Sequence, residues 1–375
     1  MREIGEILSL CREVCGAPKR QLERAVAAGK PVVGVMPYFC PEELVYAAGM
    51  LPFGLWGAER QARESKRYFP AFICSLLHTI LEMGLRGELD ALSAIMIPIS
   101  CDSLKGMGAN WQYGVKTVPV IPVAYAQNRK TEAGTAFTLS QLRKIRGQLE
   151  AVAGHPISGE AIAGAVAVYN ENRAALRAFT AAAGERPAWL SPSDRSAVIK
   201  AGDFMDRAEH TALVKELTAA LCAAPAKPWR GLRVVTTGIL ADAPELLGIL
   251  EDNQIAVAAD QVAQESVNFR YDVPVTEDPL LGLAGRYGDI EGCSVLFDPG
   301  KQRGRQLVEL VRETGADGIV WVMTKFCDPE EYDYVPVKRM AEAAGIPLLM
   351  VEVDQQMTGY GQVRSAVEAF AETLR

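Results

Sequence analysis

GADGIVWVMTKFCDPEEYDY, residues 315–334, reads as a buried strand that passes through a cysteine into a helix. The run Ile319–Met323 is apolar without alternation, as strands covered on both faces are. Beyond Cys327, the acids Asp328, Glu330 and Glu331 fall where a helix's first turn favours negative charge. The same grammar stands near the start of the chain. PVVGVMPYF (31–39) is a short, β-branched strand, and Cys40 leads into PEELVYAAGM. There Pro41 sits early, with Glu42 and Glu43 in the first turn. FCPEE and FCDPEE are near twins. Strands that run directly into helices predict a parallel, doubly wound sheet.

Residues 1–30 have helical spacing through Ile4, Ile7, Leu8, Leu10 and Val14. MLPFGLWG (50–57) is a further short apolar segment, and CSLLHTILEMGLRGEL (74–89) an amphipathic helix. LSAIMIPIS (92–100) and VKTVPVIPVAY (115–125) read as strands. Residues 135–228 are rich in Ala, Arg and Leu, with helical spacing and no strand. AAPAKPWRG (223–231) marks a boundary. Four more strands follow, at 232–240, 255–263, 315–326 and 345–354, and a helix over 361–375 closes the chain. The expected fold is α/β: two small, Rossmann-like parallel-sheet units with a helical segment between them. The corresponding domains are 1–134, 135–228 and 229–375.

The chain of 375 residues is 49% hydrophobic and 23% charged, with net charge −7, as in soluble globular proteins. No block of Lys or Arg occurs, which argues against nucleic-acid binding. No run of 18 apolar residues is present, so no membrane span is expected. The amphipathic start, MREIGEILSLCREVCG, lacks the features of a signal peptide. Eight cysteines are too sparse for a disulfide scaffold, and a reduced, cytoplasmic protein is expected. The three histidines, His78, His155 and His210, share no ligand-like spacing.

Cys40, Cys74, Cys101 and Cys327 each stand at an element junction, and open α/β sheets present their chemistry at the carboxyl ends of strands. Thiolate is the soft ligand that holds iron–sulfur clusters. A helix N-terminus also favours anionic sulfur. The echo between FCPEE and FCDPEE raises the prospect of a shared crevice for Cys40 and Cys327. The alternative for each cysteine is a buried structural thiol. No G-x-G-x-x-G, G-x-x-x-x-G-K-S/T or G-x-S-x-G occurs, which argues against direct P-loop ATP hydrolysis. KGMGANWQYG (105–114) reads as a glycine-rich loop or plain turn. Asp328, Glu330 and Glu331 read more simply as first-turn caps than as acid–base groups. Lys105 and Lys325 read as solvated lysines, or else as charges that offset a cluster or meet an acyl-CoA phosphate.

MTKFCDPEEYDY, GIPLLMVEVDQQ and the closing helix resemble the 2-hydroxyacyl-CoA dehydratases, as do FCPEELVYAAGMLPFGLWG, Cys74 ahead of its helix and ISCDSLKG. FCDPEEYDY is most similar to the β subunits of heterodimeric members. The resemblance runs from about residue 30 to the C-terminus. It implies one [4Fe–4S] cluster per subunit, held here by Cys74, Cys101 and Cys327, with Cys40 as a fourth ligand or a lining residue. Cys11, Cys15, Cys222 and Cys293 match no motif.

The resemblance further implies an ATP-hydrolysing activator protein with its own [4Fe–4S] cluster, which injects one electron. Reduction of the substrate thioester to a ketyl radical then expels the 2-hydroxyl group. Loss of a β-proton and return of the electron leave the 2-enoyl-CoA. This chain's role would be an electron relay in a heterodimer with an α subunit that shares the acyl-CoA cleft. Some family complexes hold a flavin, and no residue here is assigned to one. Alternatives are a homodimeric double-cubane relative, a benzoyl-CoA-reductase-like subunit, and a cofactor-free structural subunit.

Overall fold

The computed structural model describes residues 2–36 and 39–375. Pro37 and Tyr38, in the expected strand 31–39, lie outside the described residues. Two helices, α1 (Ile4–Gly16) and α2 (Pro18–Ala27), open the chain. Pro18 at the start of α2 divides the expected helical stretch in two. The first unit follows: β1 (Val32–Val35), α3 (Glu42–Ala47), β2 (Leu51–Gly54), α4 (Ser75–Leu85), β3 (Ala94–Pro98), α5 (Asp102–Gly114) and β4 (Val120–Val123). Its sheet is wholly parallel, in the order β2-β1-β3-β4. Pro52 and Pro122 fall on the edge strands β2 and β4, where a missing amide costs no central ladder bond.

Four helices make the middle segment: α6 (Glu132–Ala153), α7 (Gly159–Glu185), α8 (Pro192–Ala201) and α9 (Arg207–Ala223). Thr131, Ser158, Ser191 and Asp206 each cap their helix with a side-chain oxygen. The second unit comprises β5 (Leu232–Gly238), α10 (Pro244–Asp252), β6 (Ile255–Val262), α11 (Ser266–Phe269), α12 (Pro279–Asp289) and α13 (Gln302–Thr314). It continues through β7 (Gly318–Thr324), α14 (Asp328–Ala343), β8 (Leu348–Val353) and α15 (Gly361–Leu374). Its sheet is again parallel, in the order β6-β5-β7-β8, so the two units share one topology. Gly184 brings α7 hard against the edge of this sheet, since a Cβ there would stand 2.2 Å from the Ala258 carbonyl oxygen.

The segment 105–114 is not a glycine-rich loop; it lies within α5. Leu104, Met107 and Trp111 bury one face of that helix. Spacings of three and four residues outweigh the helix-weakening of Gly106 and Gly108. Between residues 264 and 314, where no element is expected from the sequence, the structure has three helices, α11 to α13.

Candidate functional site

In each sheet the strand order reverses beside the first strand, between β1 and β3 and between β5 and β7. Ligands of open α/β sheets bind outside the carboxyl ends of strands at such a reversal. Cys101 follows β3, Cys327 follows β7, and Cys74 stands ahead of α4. Each occupies the N-cap of its helix, so three helix N-termini carry the three thiols. All three pack against the same hydrophobic core.

The three thiols lie within electrostatic reach of one another: Cys101 perturbs Cys74, and both perturb Cys327. Removal from water raises all three above the usual thiol range, Cys74 to about 12. First-turn amides pull the other way, from Leu77 at Cys74, from Ser103 and Leu104 at Cys101, and from Glu330 at Cys327. None of these amides closes a capping hydrogen bond to sulfur. All three cysteines are free thiols. They are half-buried at the starts of three helices, whose positive dipole ends face them. Burial raises a thiol pKa, and a bound cation reverses that balance by stabilising the thiolate.

Among the described residues, no three His, Cys, Asp or Glu side chains are placed to hold one metal ion. Two buried hydroxyls near the three thiols have no hydrogen-bond partner among the described residues, Ser100 Oγ ahead of Cys101 and Thr324 Oγ1 at the end of β7. Thr324 lines a cavity of about 150 Å³ between the two units, with Ser75, Leu240 and Asp354. An orphaned donor here is costly unless something in the site accepts it. Thr324→Val should therefore stabilise the isolated chain by about 1 kcal/mol in urea unfolding. Unchanged or lower stability would show that the hydroxyl is satisfied without a ligand.

The Cys327 turn has strong support. Phe326 adopts φ +61°, a left-handed conformation uncommon for a non-glycine residue. Glu330 is no mere surface cap. It is fully buried, pairs with Arg303 at 2.9 Å and accepts the Thr324 amide at 3.4 Å. Arg303 is held in turn by Thr237 Oγ1 at 2.8 Å and lies over the Trp321 ring.

Phe39 has a matching φ of +66°, so the FCPEE and FCDPEE echo extends to the backbone. The neighbours differ. The Cys40 thiol donates to the Met36 carbonyl oxygen at 3.3 Å and is perturbed by Glu42. No other thiol is among the groups that perturb it. Its surroundings are a separate polar interior with Asp203, Arg173 and Arg207. Lys105 pairs with exposed Asp102, and Lys325 with Glu352. His78 is structural: its ring bridges Ser65 Oγ and the Pro70 carbonyl ahead of Cys74. His210 is buried, between Asn172 and the Val198 carbonyl.

Gln355 and Gln356 carry no expected role in the sequence. They join the two units by hydrogen bonds to residues nearly 300 positions away. Only the repeated amide in VEVDQQ, at a strand's carboxyl end, hinted at it.

Residues 37–374 match the family described as 2-hydroxyglutaryl-CoA dehydratase, D-component. The chain is 44% identical to an (R)-phenyllactyl-CoA dehydratase beta subunit of Clostridium sporogenes, over 97% of each chain. It is 41% identical to a lactoyl-CoA dehydratase subunit beta of Anaerotignum propionicum, over the full length of both. It is 40% identical to the (R)-2-hydroxyglutaryl-CoA dehydratase subunit beta of Acidaminococcus fermentans, over 99% of this chain and 100% of that one.

Proposed function

The chain belongs to the 2-hydroxyglutaryl-CoA dehydratase D-component family, and from that premise we propose that it is the β subunit of a 2-hydroxyacyl-CoA dehydratase. On this reading Cys74, Cys101 and Cys327 hold one [4Fe–4S] cluster. The chain relays an electron from an ATP-dependent activator protein to a site shared with an α subunit. There water is eliminated from a 2-hydroxyacyl-CoA through a ketyl radical, giving the 2-enoyl-CoA. When bound, the cluster supplies a one-electron carrier whose potential the protein sets by ligation, burial and hydrogen bonds to sulfur.

The observation that carries the proposal is the convergence of three thiols from three separate helix N-termini. The chain's own residues have three tasks. The thiols surrender their protons on loading, and the N-terminal dipoles of α4, α5 and α14 offset the resulting charge. The surrounding core limits water access, which keeps the electron from solvent and oxygen. Close in sequence to Cys74 and Cys327, Phe72 at 68% and Tyr332 at 80% exposure are apolar side chains suited to burial against a partner subunit.

Anaerobically purified protein should contain about four iron and four labile sulfide per chain, the composition of one [4Fe–4S] cluster. With its α subunit and activator it should dehydrate a 2-hydroxyacyl-CoA, and alone it should not. Iron near zero after anaerobic reconstitution would overturn the cluster. Full activity of the isolated chain would overturn the subunit role.

A further inference from the structure

The first sheet unit supplies Cys74 and Cys101, and the second supplies Cys327. The distance between them is therefore set by whatever fixes one unit against the other. At the cysteines' side of the sheets, that junction runs through the turn after β8. The Gln355 amide donates to Ser75 Oγ at 2.9 Å, and Ser75 is the first residue of α4, immediately after Cys74. Its side-chain Nε2 donates to the Trp56 carbonyl at 2.7 Å. Its Oε1 accepts from Thr79 Oγ1 at 2.8 Å, and its own carbonyl accepts the Arg60 amide at 2.9 Å. All four polar groups of one residue in the second unit are thus spent on the first.

The fit is close. Gly57 adopts φ +78°, and a Cβ there would stand 2.1 Å from Gln355 Oε1. The neighbouring Gln356 accepts the Ala62 amide at 3.0 Å. On the other side, β8 pairs with β7, and the Lys325 amide donates to the Val353 carbonyl at 2.9 Å, two residues before Cys327. A continuous hydrogen-bonded path therefore links Cys74's helix to Cys327's strand through Gln355.

We propose that Gln355 is a positioning residue that bolts the helix of Cys74 to the sheet of Cys327 and so sets the separation of the cluster thiols. Its side-chain polar atoms are taken up by Trp56 and Thr79, so its role is to position other residues. It acts by keeping three ligands from two sheet units in register, the supporting role that outer partners play in metal sites. The inference rests on the cluster reading above.

The test uses the αβ complex prepared without oxygen. Gln355→Leu removes both side-chain bonds, and Thr79→Val, milder and of similar shape, removes one. Val367→Ala, at a fully buried position in α15, serves as a control for general loss of stability. Iron release to a chelator and the electron paramagnetic resonance spectrum of the reduced cluster are followed. Both junction variants should lose iron at least about tenfold faster, the lower end of the outer-shell effect, and show an altered resonance line shape. Val367→Ala should keep the wild-type spectrum. A loaded wild type whose spectrum and iron release are reproduced by both junction variants would overturn the inference alone. A wild-type complex without iron would overturn the cluster reading, and the inference with it.

Discussion

Serine at Cys74, Cys101 or Cys327 should each abolish cluster retention. The activity of the assembled enzyme should fall by more than the roughly 10–100-fold that follows loss of an outer partner at a metal site. The argument is chemical. Thiolate is the ligand iron–sulfur clusters require, whereas a serine hydroxyl stays protonated and is too hard a donor for this site. It is also geometric. The three thiols come from three elements in two sheet units, so loss of one removes a whole side of the cradle. No nearby thiol replaces it, since Cys40 has a separate set of neighbours. The fold itself should survive, because none of the three sulfurs makes a capping hydrogen bond that serine would forfeit. Cys222→Ser, at an exposed position near the end of α9, should keep its iron. Normal iron in any one of the three variants would remove that residue from the ligand set.

The strands were legible because burial on both faces writes a continuous apolar run, and because acids and prolines mark the helix starts that follow. Cys74, Cys101 and Cys327 were legible as strand- or helix-end residues for the same reason. Their convergence was not, because it depends on how two sheets meet. The FCPEE and FCDPEE echo shows the limit. Both copies share the left-handed phenylalanine, yet Cys327 caps a long helix while Pro41, not Cys40, caps a short one, and the two thiols acquire different neighbours. A local motif fixes local backbone and leaves tertiary surroundings to long-range packing. Glycines misled the reading at 105–114, where Leu104, Met107 and Trp111 decide the helix. Gln355 was unreadable for a further reason: its partners lie hundreds of positions away, and a polar side chain carries no periodicity.

Arg195→Met should destabilise the chain by about 3–5 kcal/mol at neutral pH, the range for a buried ion pair that loses one partner. Arg195 lies on α8 with only 5% of its side chain exposed, and its guanidinium pairs with both Asp260 and Glu265. Asp260 is further fixed by the Val262 and Ser266 amides, at 3.1 and 2.9 Å. Methionine fills much of the volume but leaves two buried carboxylates without a cation. The pH dependence follows from the same burial. Already in the wild type, desolvation raises Glu265 to about 7 against the opposing pull of Arg195. A carboxyl raised in the folded state contributes most to stability below its unfolded value, and that contribution is lost as pH climbs through the folded one. Without the lowering pull of Arg195 the folded-state value of Glu265 rises further, so the variant's deficit should be larger at pH 8 than at pH 5. Adding Glu265→Gln should recover part of the deficit at pH 8, because it removes one uncompensated charge. Urea unfolding at the two pH values decides the matter. A deficit below about 1 kcal/mol, within the range of an exposed pair, would mean that the arginine contributes little here. A deficit independent of pH would mean that the lost packing of the arginine stem, rather than its charge, joins α8 to the second sheet.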